Sequence, residues 1–227
     1  MSKLADVVKK VQKLLNVANR SDKPGEIAAA QLLAQQLITK YQIEEAQLHG
    51  NSMNGDITSV HIATPDPYAI DKATLLNSIA LPNFCKVLRG DEYCIIYGYA
   101  SDIELCVALY DVLSMHMISE MTVKLKELKK SSTEKIRTKE WVRGFFGGYA
   151  INIGERIKQA KKDTIKEVDS NGTSLALVLR DKQHVIEDYW QQLVRNTGSK
   201  RKITSISGYK AGKESAAAAD LNKNKIE

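Results

Sequence analysis

The sequence predicts an α+β fold that is mainly helical, and three observations carry that expectation. Apolar residues recur at helical spacing through five long stretches. Only three short runs, near residues 57–63, 84–88 and 93–97, read as strands. Past residue 196 few large apolar groups remain. The expected layout is an N-terminal helical hairpin (1–48), a linker around a short strand (49–70), an α+β domain (71–195) and a basic, partly flexible C-terminal tail (196–227). The α+β domain holds a small α-β-hairpin-α unit followed by two further long helices.

In the first 18 residues, Leu4, Val7, Val8, Val11, Leu14 and Leu15 form one apolar stripe, with Lys3, Lys9, Lys10 and Lys13 at polar positions. Pro24 suits the first turn of a second helix whose alanine-rich body runs to about Tyr41, placing Ala28, Ala29, Leu32, Leu33, Leu37 and Tyr41 toward the first. After the linker, a short helix is expected over residues 73–81. Two strands then follow, joined across Arg89-Gly-Asp-Glu92. A two-residue Gly90-Asp91 turn would pair 88 with 93 and 85 with 96, setting Cys85, Val87, Cys94 and Ile96 on one face.

Ser101-Asp-Ile-Glu104 has the pattern of a capping box, in which serine caps the helix and glutamate reaches back. The helix it opens runs to about residue 128, and a polar connector leads to Thr138, a candidate cap for the next. That next helix contains Trp141, Phe145, Phe146, Tyr149, Ile153 and Ile157, interrupted by Gly144, Gly147, Gly148 and Gly154. Each glycine costs a helix interior ~0.8–1 kcal/mol relative to alanine. The four therefore imply close approach of another backbone, either residues 174–194 or a second subunit. The final expected helix, residues 174–194, offers Leu175, Leu179, Val185, Ile186, Tyr189 and Leu193 for burial, although residues 174–179 alone also fit a strand.

Val11-Gln-Lys-Leu-Leu-Asn-Val-Ala, Glu26-Ile-Ala-Ala-Ala and Lys40-Tyr-Gln-Ile43 resemble the short helical module called domain of unknown function 2786. The module departs from its usual pattern at Gln42, where glycine is common. The glycine-containing helix, the leucine-rich segment and the terminal Gly-Tyr-x-Ala-Gly pattern are similar to the C-terminal part joined to that module in phage and prophage proteins. The resemblance implies a phage or prophage setting and brings no activity or site.

The three cysteines, Cys85, Cys94 and Cys106, are odd in number and widely spaced, no run approaches 18 apolar residues, and mean hydropathy is −0.30. We expect a soluble, cytoplasmic protein (host cytoplasm if phage-encoded) with no membrane partner. Catalytic motifs are absent from the sequence: there is no H-E-x-x-H, no G-x-S-x-G, and Gly144-x-x-Gly-Gly148 is neither a P-loop nor a dinucleotide fingerprint. Cys106, His116 and Glu120 share a helix but are too few and too unlike to make a metal site, so neither a metal nor a cofactor is expected.

The charge distribution is uneven within an overall +6: residues 51–118 net −5 and residues 195–227 net +5. Lys200, Arg201 and Lys202, with Tyr209, Lys210 and Lys213 soon after, can neutralise phosphates and stack on a base. The first functional expectation is an accessory protein associating with DNA or RNA independently of sequence through these residues, without catalysis. The second is a protein-interaction or assembly module, a homo-oligomer or a complex, in which the face bearing Gly144, Gly147, Gly148 and Gly154 or the N-terminal hairpin receives a partner helix. An enzyme of uncharacterised type is the third.

Overall fold

The computed structural model describes residues 3–20, 24–49, 56–131, 137–169, 175–193 and 205–218. Among these, α1 (Lys3–Arg20) and α2 (Pro24–His49) lead to β1 (Thr58–Ala63) and α3 (Ala69–Ala80). A 3-10 turn (Leu81–Asn83), β2 (Lys86–Arg89) and β3 (Tyr93–Gly98) follow. Four helices complete the chain: α4 (Ala100–Ser131), α5 (Thr138–Asp169), α6 (Leu175–Leu193) and α7 (Ile206–Ala218). The α+β, mainly helical expectation holds. No helix among the described residues is long and apolar enough to cross a membrane.

The hairpin of α1 and α2 closes because Val7, Val8, Val11 and Leu15 bury one stripe against Ala34 and Ile38. Lys3 meets Glu44 at 2.7 Å where the antiparallel ends come together. The side chains of Ala28, Ala29 and Leu175 lie outside the described residues. Where the sequence suggests an end near Tyr41, α2 continues to His49. No glycine or proline interrupts residues 42–49, and Gln42 points its amide into the body.

The sheet has the order β1-β3-β2, antiparallel throughout. Val87 faces Ile96 and Arg89 faces Cys94, two residues off the expected register. The cause is the turn, which places Asp91 and Glu92 at its tip and is closed by Gly90 N donating to Tyr93 O at 2.9 Å. A shift of two preserves side-chain parity, so Cys85, Cys94 and Ile96 do share the buried face.

Ser101 is not a cap. The Ile103 amide already donates to Tyr99 O at 3.0 Å, so α4 starts earlier than the capping box implies. Ser101 and Asp102 consequently lie inside the first turn, facing α2. In α5, Trp141, Phe145, Phe146, Tyr149, Ile153 and Ile157 are all buried in the main core together with Leu113, Met117 and Met121 of α4. Tyr149 Oη and His116 Nδ1 lie 2.9 Å apart across that contact.

Candidate nucleic-acid interface

Residues 206–218, inside the stretch expected as a tail, form α7, and α7 is the backbone that the glycines of α5 admit. Its start is capped by Ser205, whose Oγ accepts from Gly208 N at 3.2 Å. A Cβ on Gly144 would stand 2.6 Å from Ser205 O, and one on Gly148 would overlap the Tyr209 carbonyl. The relation is reciprocal: a Cβ on Gly208 would overlap the Trp141 carbonyl, and one on Gly212 the Phe145 carbonyl. Contacts advance in the same direction on both helices, so α5 and α7 run parallel, each presenting a Gly-x-x-x-Gly ridge to the other's backbone. This is the close approach that side-chain-free stripes permit.

The other two glycines behave differently. Gly154 receives α3, where a Cβ would stand 3.1 Å from Ser78 O, whereas nothing lies within 4 Å of a Cβ on Gly147. Neither residues 174–194 nor a second subunit is needed to fill the Gly144 and Gly148 face.

Docked in this way, α7 turns Lys210 and Lys213 to solvent and leaves Tyr209 half-buried. Lys213 Nζ stands 3.9 Å from Glu155 Oε2, a loose exposed pair. Arg143 is also exposed, one residue before the first glycine of the α5 ridge. Arg156 donates from Nη1 to Ala216 O, holding the far end of α7. Lys200, Arg201 and Lys202 lie outside the described residues.

A second polar constellation is buried and carries no sequence motif. Asp102 at the start of α4 is fully buried; Gln42 Nε2 donates to its Oδ1 at 2.8 Å, and Lys182 Nζ of α6 pairs with its Oδ2 at 2.7 Å. Glu45 extends the network, accepting from Ser101 Oγ at 2.9 Å and lying 3.7 Å from Lys182 Nζ. The Phe84 ring lies beneath both buried lysines, 3.3 Å from Lys161 Nζ and 5.2 Å from Lys182 Nζ. Phe84 itself has φ 58°, an uncommon conformation for a bulky residue, which swings its ring under these cations. Burial pushes the Asp102 carboxyl up, against the pull of Lys182, Lys161 and Gln42. Three helices that are distant in sequence are thereby tied by one carboxylate. The sequence holds a signal for Lys182, which falls between Leu179 and Ile186 on the buried stripe of α6; Asp102 resembles an ordinary first-turn acid.

Lys161 donates to Pro82 O at 2.6 Å. Burial lowers its ammonium to about 7, with Lys182 pushing the same way and Asp102 opposing. The unfolded chain, with an ordinary lysine, holds more protons than the folded one between pH 7 and 10.5, so this group makes stability rise with pH across that window. Urea titrations from pH 7 to 9.5 should show a positive slope that Lys161→Met reduces. An identical slope in the variant would show that Lys161 keeps an ordinary affinity for its proton.

The remaining candidates do not converge. Cys106 of α4 contacts Cys85, the residue before β2, and that contact, with burial, holds the Cys85 thiol well above its ordinary value. His116 lies ten residues further along α4, bonded to Tyr149, and burial lowers its pKa against the pull of Glu120. Among the described residues no group of three or more His, Cys, Asp or Glu side chains is placed to hold a metal ion.

Residues 6–45 match the family model described as protein of unknown function (DUF2786). No curated protein and no solved structure matches the chain. The match coincides with the α1–α2 hairpin, and its C-terminal end holds Gln42, the residue that reaches Asp102. The matched hairpin is therefore joined to the body through a buried hydrogen bond.

Proposed function

We propose that the protein is an accessory nucleic-acid-associated protein, acting in the cytoplasm in the phage or prophage setting its resemblance implies. It would hold DNA or RNA by phosphate contacts without reading sequence and without catalysis. The observation that supports this reading is the seating of α7. Residues 195–227, net +5, include a helix locked through Gly144, Gly148, Gly208 and Gly212 onto the aromatic helix of the core, with Lys210 and Lys213 facing outward. Cations on a fixed helix lose less conformational entropy on binding than cations on a loose chain. Lys200, Arg201 and Lys202 supply further charge, and Tyr209 retains enough exposure to touch a base.

Replacing Lys200, Arg201, Lys202, Lys210 and Lys213 together by alanine should weaken binding to duplex and single-stranded oligonucleotides alike. Removal of one phosphate-neutralising cation should reduce the slope of log affinity against log salt by about 0.7–0.9. Fluorescence anisotropy across a salt series reads both quantities, and unchanged affinity and slope would remove the proposal.

A further inference from the structure

The two edges of the sheet are treated differently. On β2, Lys86 is clamped by Glu187 of α6 at 2.5 Å, and Arg89 adds a second charge, so that edge is guarded. On β1, Thr58-Ser-Val-His-Ile-Ala63 contains no charged residue and no proline. Five of its six residues are exposed, and among the described residues no strand pairs with its outer side. Such an edge presents unpaired N–H and C=O groups that another extended strand can satisfy.

We propose that β1 pairs antiparallel with β1 of a second copy of this chain, about a two-fold axis perpendicular to the sheet, making one continuous six-stranded sheet. Two observations select a second copy as the occupant. An uncharged strand can meet itself without setting like charges opposite one another within the ladder. The two-fold axis preserves side-chain parity, so Val60 and Ile62 of both copies fall on the core-side face. Val60 is 41% exposed there although its neighbour Ile96 on that face is 0%, so it lacks cover on one side only. The interface is isologous, as closed two-fold dimers require.

The test is the mass of the full chain by analytical ultracentrifugation from low micromolar to high micromolar concentration. The wild type should dimerise. Val60→Asp places two carboxylates near the axis and should abolish the dimer while leaving circular dichroism unchanged. Val60→Cys supplies a second readout, since Cys85, Cys94 and Cys106 are buried: mild oxidation should give an intermolecular disulfide. A wild type that stays monomeric throughout, or a dimer that survives Val60→Asp and gives no Val60→Cys cross-link, overturns the proposal.

Discussion

Gly212→Ala should destabilise the protein by about 1–3 kcal/mol, the range for forcing atoms into a filled contact. A Cβ there has no space, because it would overlap the Phe145 carbonyl, which belongs to α5's own helical ladder and cannot swing aside. Gly148→Ala should act alike through the Tyr209 carbonyl. Both variants should raise hydrogen exchange across residues 206–218 before the rest of the chain, because α7 is the element displaced. Gly147 is the control. It sits in the same helix with open space around it, so Gly147→Ala should gain up to ~1 kcal/mol from helix propensity alone. Equal effects at 147 and 148 would show that α5 and α7 do not meet backbone to backbone.

Asp102→Ala should cost about 3–5 kcal/mol, the range for leaving one member of a buried pair without its partner. Lys182 Nζ would then be left inside the protein with the looser Glu45 contact at 3.7 Å in place of its 2.7 Å pair, and Gln42 would lose its acceptor. The double variant Asp102→Leu with Lys182→Met should recover most of that loss, since apolar side chains of similar volume often replace buried ion pairs at little cost. Urea denaturation of Asp102→Leu, Lys182→Met and the double variant forms a thermodynamic cycle. Additive losses would mean that Asp102 and Lys182 do not act as a pair.

Local rules make much of this fold legible. Residues 175–193 show their helix through a leucine-rich spacing, and the aromatic face of α5 signals its burial through Trp141, Phe145 and Tyr149. Parity makes the shared face of Cys85, Cys94 and Ile96 readable even though the turn selects a different register. Long-range partnership is what local rules do not reach. The glycines of α5 show that a backbone must come close, but α7 carries mostly alanine, glycine and lysine, and its ridge is recognisable only once Gly208 and Gly212 lie against Trp141 and Phe145. Ser101 satisfies a local capping pattern, yet Glu45, distant in sequence, takes its hydroxyl. The buried carboxylate of Asp102 has no local signature, because its partners arrive from α2 and α6. The proposed site is legible in the sequence as charge alone; that Lys210 and Lys213 stand on a helix seated in the core is a property of packing.

If α7 is a fixed basic platform for a polyanion, a salt titration of wild-type protein with DNA and RNA oligonucleotides tests that role most directly. Measurable binding is expected at low salt to single and double strands of unrelated sequence, with log affinity falling linearly as log salt rises. Absence of binding at the lowest salt, or an affinity that salt leaves unchanged, would contradict it.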